Sequence, residues 1–339
     1  MSRDGDEPGS ATALARARTF VVEGAEAGQR LDAIVARRTG ASVAAARRLV
    51  AAGLVRVDGR GASPKGARVV AGARVDIAPH ADPSAPVVPQ DDAAVVVVWK
   101  DAHLVAIDKP AGMPSHPLRA GERGTAANVI VARFPECARA SPDPREGGLG
   151  HRLDTPTSGL LIAARSRAVW EGLRRALAAA DCQKTYLCEV RGDPPDSGGI
   201  DSAIGRGGRR GTTVRVGGGG RRPLPAQTTW ITVARRGRTA LVEARLHAGR
   251  AHQVRAHLAA AGFPIVGDDR YGGGAGEHGK DNDGVHTAVA VAVTVTVTGH
   301  APASLRLHAA SVRLRHPVTG AALVLQAPPP GWAMVPSVL

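Results

Sequence analysis

The chain has 339 residues, is 43% hydrophobic by composition and carries a formal net charge of +14. The apolar content excludes a disordered chain and the length leaves room for about two domains. The basic excess, with a sequence pI of about 11.0, points to a polyanionic partner, most simply nucleic acid.

Residues 1–17 read as a loose polar tail. Phe20-Val21-Val22 starts a strand, and Leu31, Ile34 and Val35 sit at helical spacing. Ser42 is the expected N-cap of a second helix that runs to about Ala52 and stops at Gly53. Leu54 to Gly59 reads as strand and turn, and Ala73 to Ile77 as another strand. Residues 18–80 thus form a small α/β module, with Arg47 and Arg48 on the polar side of the second helix, suited to phosphate. Residues 81–92, rich in Pro and Asp, read as a linker.

A second domain is expected over residues 93–330. Val95 to Trp99, Leu104 to Ile107, Leu160 to Ala164 and Thr185 to Val190 read as strands, and Thr228 to Val233 with Thr239 to Leu246 as a strand pair. Ala126 to Arg133 and Ser166 to Ala180 read as helices. The Gly- and Arg-rich residues 194–226 suggest a mobile basic loop with one strand around Val214. Residues 273–285 suggest a further loop, followed by a strand in which Val289 to Val297 alternate. The three cysteines, Cys137, Cys182 and Cys188, lack paired metal-ligand spacing and are an odd number for disulfides, so a reducing cytoplasm is expected. Met1 to Arg18 has no apolar signal-type run, and no apolar stretch is long enough for a bilayer.

Three segments carry candidate chemistry. In His151-Arg152-Leu153-Asp154-Thr155-Pro156-Thr157-Ser158-Gly159 a lone carboxylate stands beside a guanidinium and no second acid. Such a carboxylate suits attack on a sugar carbon, whereas simple glycoside hydrolysis needs a carboxylate pair. On its own an Arg-x-Asp is more often a surface ion pair. Gly249 to Leu258 reads as a helix after Gly249, with His252 and Arg255 as neighbours three residues apart; an ordinary basic helix is the plainer reading. Tyr186 lies on a strand, on the face opposite Thr185 and Leu187; it could stack on a base or fill the core.

Taken in order, these segments resemble the RluA-type pseudouridine synthases over residues 18–330. Gln29 to Asp32, Ser42 and Gly53 to Gly59 are similar to the RNA-binding module first described in the fourth protein of the small ribosomal subunit. Ile107 to Met113 with His116-Pro117, then His151 to Leu161, resemble two catalytic-domain motifs. Gly249 to Leu258, Gly262 to Asp268 with Tyr271-Gly272, Leu307 to Ala309, and His316-Pro317 complete the pattern.

The resemblance implies an α+β fold: a catalytic domain with a central, mostly antiparallel mixed sheet flanked by helices, and the N-terminal RNA-binding domain, with a basic cleft between them. It implies isomerisation of uridine to pseudouridine in RNA, with large-subunit ribosomal RNA as the expected substrate. Asp154 would be the nucleophile, through a ribose adduct or a glycal. Tyr186 would stack on the base and assist proton removal, and Arg255 would be the ion-pair partner that keeps Asp154 charged. Arg152 would replace the extruded base, whose extrusion costs a few kcal/mol. Arg47, Arg48, Lys109, His151, Arg250 and His252 are the other expected RNA contacts. No metal, organic cofactor, membrane or obligate protein partner is implied. Ala251 stands where relatives often have Thr, Thr155-Pro156 replaces a commoner charged pair, and residues 273–304 look inserted. Two other readings stay open: a non-catalytic RNA-binding or ribosome-assembly protein on the same fold, and a nucleoside hydrolase, for which no motif supplies the second acid.

Overall fold

The computed structural model describes residues 14–15, 17–63, 66–78, 80–81, 86–119, 121–207, 213–217, 220–246, 249–272 and 304–334. The expected 273–285 loop and the valine-alternating strand lie outside them. Contacts divide the chain into two compact units, Met1–Asp91 with His116–Gly148, and Asp92–Ser115 with Leu149–Leu339.

In the first unit, β1 (Leu14–Ala15) pairs with β6 (His80–Ala81). Strands β2 (Arg18–Val21), β3 (Val55–Val57), β4 (Arg60–Gly61) and β5 (Arg74–Ile77) form an antiparallel sheet in the order β2-β5-β3-β4. Helices α1 (Leu31–Thr39) and α2 (Val43–Ala51) bury Leu31, Ile34, Val35, Leu49 and Val50 with Val75 and Ile77 from β5. Each such side chain contributes roughly 1.5–3 kcal/mol. Ser42 caps α2 by accepting the Ala45 N–H at 3.2 Å, as its sequence position suggests. α3 (Ala126–Arg133) begins with a reciprocal Thr125/Asn128 capping box. The Pro-rich stretch is fastened here: Val87 N–H donates to Pro144 O, and the Asn128 amide donates to Val88 O at 2.7 Å.

Among the described residues the second unit holds a nine-stranded sheet. Its strands are β7 (Val96–Lys100), β8 (Leu104–Lys109), β9 (Ser158–Ala164), β10 (Gln183–Arg191), β11 (Ser197–Asp201), β15 (Gln227–Arg236), β16 (Thr239–Leu246), β17 (Leu307–Arg315) and β18 (Ala322–Gln326). The order is β11-β15-β16-β10-β17-β9-β8-β7, with β18 also on β17. Among its described ladders only β17–β9 is parallel, so the sheet is mixed and mostly antiparallel. Leu160 to Ala164 of β9 are buried without alternation, as for a strand covered on both faces. α4 (Arg167–Ala178) turns Val169, Leu173 and Leu177 into one core cluster with Leu160 and Ile162. α5 (Gln253–Ala260) turns Val254 and Leu258 into another with Val242, Ala244 and Leu246.

Two expectations need correction. Residues 194–226 are not a loop with one strand. They hold β11 and a small three-stranded sheet of β12 (Ile204–Gly207), β13 (Thr213–Val216) and β14 (Arg221–Leu224). The glycines there serve close packing: a Cβ on Gly198 would overlap the Trp230 ring, and Gly205 and Gly220 lie backbone to backbone. The second correction concerns Gly249 to Leu258. α5 starts only at Gln253, because His252 adopts a left-handed conformation with φ 56°. His252 and Arg255 are therefore not neighbours on one helix face.

No helix of the described residues is long and apolar enough to cross a membrane.

Candidate active site

Asp154 sits in a turn that leads into β9, and the turn is pinned from several sides. Thr157 N–H donates to Asp154 O at 3.0 Å, closing four residues. One residue earlier, the buried Ser115 hydroxyl accepts the Leu153 N–H at 2.9 Å and donates to Leu153 O at 2.8 Å. Thr155 O accepts from Gly112 N–H at 2.9 Å and from Lys109 Nζ at 3.2 Å.

Just past the turn, Gly159 has φ +110°, and a Cβ there would collide with the Ala309 backbone. Only glycine lets β17 approach β9 at this point. Ala309 pairs with Gly159 on one side and with Tyr186 on the other. That register brings Tyr186 of β10 to the same end of the sheet as Asp154.

α5 supplies the guanidinium. Arg255 is 3% exposed. Its Nη1 donates to Asp154 Oδ2 at 2.8 Å. Its Nε and Nη2 donate to the two oxygens of Asp268 at 2.8 and 2.9 Å, a bidentate pair that fixes the fork. Asp268 is fully buried and also accepts the N–H groups of Arg270 and Tyr271. Burial alone would weaken the Arg255 charge, but its bonds to Asp268 and Asp154 outweigh that and raise its pKa. The Tyr271 ring lies 5.4 Å below the guanidinium carbon. His252 places Nε2 3.6 Å from Asp154 Oδ1.

A cavity of about 290 Å³ opens beside Asp154. Its walls include Arg152, Leu153, Lys184, Tyr186, Leu246, Arg250, His252, Arg255 and Leu307. Asp154 is the one carboxylate among these lining residues; the rest of the polar wall carries guanidinium, ammonium, imidazole, amide and hydroxyl groups. Such a pocket accepts a planar, partly apolar group joined to an anion. Burial first, and Asp154 second, hold the Tyr186 phenol above its ordinary pKa, so it faces the cavity protonated.

The family model for RNA pseudouridylate synthase matches residues 103–260, and that for the S4 domain matches residues 29–75. An uncharacterized RNA pseudouridine synthase of Chloroflexus aurantiacus is 36% identical over 259 residues, 76% of this chain and 80% of that one. The ribosomal large subunit pseudouridine synthase D of Xanthomonas campestris is 32% identical over 320 residues, 92% of this chain and 89% of that one. The chain belongs to the RNA pseudouridylate synthase family. Among solved structures, human RNA pseudouridylate synthase domain containing 1 shares the fold, with a TM-score of 0.50 at 24% identity over 69% of this chain and 83% of that one.

The synthase places its expected site residues unevenly. Asp154, Tyr186, Arg255, Arg152, Arg250, His151 and His252 all line the one cavity. Lys109 does not, and its expected RNA contact is corrected: it is fully buried, and Nζ donates to Pro110 O, Met113 O and Thr155 O. Burial takes its pKa down to about 8, against the pull of Asp154 and Asp108. Its role in the fold is to hold the Asp154 turn.

His151 is also no cationic phosphate ligand. Its Nε2 accepts the Ile162 N–H at 3.2 Å, and burial, with Lys184 and Arg174 nearby, takes its pKa down to about 3. In the S4 domain, Arg47 is half exposed but ion-paired to the buried Asp32 at 2.7 Å, while Arg48 is exposed. Asp268 and Tyr271 had drawn no role from the sequence beyond their place in a motif. Their signal was the Gly267-Asp268 and Tyr271-Gly272 spacing, which says nothing of what they touch. Among the described residues no group of three or more His, Cys, Asp or Glu could hold a metal ion.

Proposed function

We propose that this RNA pseudouridine synthase acts on large-subunit ribosomal RNA with Asp154 as nucleophile. The observation that carries the nucleophile is the asymmetry of its carboxylate in a cavity wall: Oδ2 is tied to Arg255 at 2.8 Å, Oδ1 has His252 Nε2 at 3.6 Å, and Asp154 lines a cavity of about 290 Å³. In this reading Oδ1 attacks ribose C1′, the C1′–N1 bond breaks with its electron pair on the uracil, and the base turns within the pocket. C5 then bonds to C1′ as the C1′–O bond to Asp154 breaks; the C5 proton passes to solvent and N1 takes one up, so the base ends neutral as it began. Tyr186 stacks on the base and assists removal of the C5 proton. Arg152, exposed at the cavity wall, enters the RNA helix in place of the extruded nucleotide.

The ribosomal substrate is supported by the relative of Xanthomonas campestris, named for the large subunit, by the S4 domain match, and by the net charge of +14. The cytoplasm is the compartment this substrate implies. The test is pseudouridine mapping of total RNA from a strain lacking the gene, with wild type and Asp154→Ala restored separately. The wild type should return one or more pseudouridines in large-subunit RNA. Asp154→Ala should return none, and the purified variant should turn over more than about 10⁴-fold more slowly with RNA affinity within about twofold. Turnover by the variant would remove Asp154 from the role. A non-catalytic assembly protein would restore ribosome maturation with either form.

A further inference from the structure

His252 occupies a strained position that is fixed from several sides. Among the described non-glycine residues only Asp58, Arg222 and His252 have positive φ, and such strain persists where the surroundings over-determine it. The His252 ring meets Tyr271 edge to face at 5.8 Å, with Nδ1 2.9 Å from the Tyr271 hydroxyl oxygen. That oxygen also accepts the Val214 N–H of β13 at 3.0 Å. A phenol has one proton to give, and an amide N–H can only donate. Among the described residues His252 Nδ1 is the acceptor within reach of the Tyr271 O–H. A neutral imidazole bound this way carries its own proton on Nε2.

That Nε2 stands 3.6 Å from Asp154 Oδ1, too far for a hydrogen bond. In that tautomer Nε2 is a donor close to this oxygen and not consumed by it. The charged and titratable groups facing the ring are Asp154, Asp268, Arg255, Arg270 and Tyr271; burial is the largest influence on the ring and lowers its pKa, which favours the neutral form.

We propose that His252 is a substrate-contacting donor, whose Nε2–H, held near Asp154 by Tyr271, donates to a carbonyl or hydroxyl oxygen of the nucleotide beside C1′. The proposal rests on the reading of Asp154 as nucleophile. A carbon attacked by Oδ1 approaches it to about 3 Å, so the substituents of C1′ must pass beside this donor. Two oxygens fit, the 2-carbonyl of the base and the 2′-hydroxyl of the ribose. At the carbonyl, the donor stabilises charge that grows as the C1′–N1 bond breaks. At the hydroxyl, it tells RNA from DNA.

The test uses the full chain and a synthetic RNA carrying the uridine that mapping identifies. His252→Asn tolerates positive φ and keeps an acceptor for Tyr271, but lacks the Nε2–H. It should lose about 100-fold in kcat with KM within about twofold and an unchanged thermal midpoint. His252→Gln, which restores an N–H near the same place, should recover at least about tenfold of that loss. An Asn variant as fast as wild type overturns the proposal. The same pair is then compared on RNA with 2-thiouridine or 2′-deoxyuridine at the target. The wild-type advantage should collapse on the one whose oxygen His252 meets; an undiminished advantage on both overturns the contact. Wild-type turnover on plain uridine is the control: its absence would overturn the reading of Asp154, and this inference with it.

Discussion

Around Asp154 each neighbour fixes one atom of the carboxylate or of its turn. Arg255 holds Oδ2 and is itself held by Asp268, so the guanidinium cannot swing toward the substrate phosphate. Lys109 and Ser115 act behind the carboxylate, through the backbone of the turn. His151 shows the same economy: it lines the cavity, yet its fixed role is to accept the Ile162 N–H. Its pKa falls from the ordinary 6.5 to about 3, so the sign of its pH effect follows. The unfolded chain takes up a proton here as pH drops through the ordinary value, and the folded chain resists until about 3. Stability therefore falls with pH across that window, by up to about 1.4 kcal/mol per pH unit from this group. His151→Gln keeps the acceptor and should flatten the decline of the thermal midpoint between about pH 6 and pH 4. An unchanged decline would assign the acid sensitivity to other groups such as His308, held down to about 4 by burial.

The decisive elements are the central strands β9, β17 and β10. Their register, with Ala309 facing both Gly159 and Tyr186, assembles the site more than any single helix does. Gly159→Ala tests this directly. Its φ of +110° and the collision of a Cβ with Ala309 should cost about 3 kcal/mol or more. Denaturant unfolding should report that loss, and pseudouridine formation should fall with it. A variant of native stability and activity would mean that β9 and β17 can separate without harm to the Asp154 turn. Elements with a clear period were legible beforehand: Ala126–Arg133 is a helix over the residues expected, and Ser42 caps α2. The 194–226 region was not, because glycine marks both loose chain and tight packing, and only the facing residue tells them apart.

On the scale of the whole molecule, the net charge of +14 is the electrostatic footprint of an RNA enzyme. The S4 domain presents Arg47 and Arg48 on α2, with Arg47 shared between Asp32 and solvent. Replacing both by Gln should weaken RNA binding across sequences and reduce its salt slope by about one to two. Titration at several salt concentrations measures this, and an unaltered slope would show that another face of the domain meets phosphate.

Local sequence was enough to mark Asp154 as the candidate acid, the basic character of the chain and the family, since motif spacing, composition and helical period are all written along the chain. Spacing along the chain did not by itself say which guanidinium meets Asp154; the family resemblance named Arg255, and the structure pairs the two at 2.8 Å. The near candidate, Arg152, is exposed at the cavity wall; the actual partner, Arg255, lies 101 residues away in sequence. It also could not show that Lys109 faces inward, or that His252 breaks from the helix to stand over the carboxylate. Each of these depends on which backbone segments pack side by side. Strand register and buried hydrogen bonds choose those neighbours only when the chain folds.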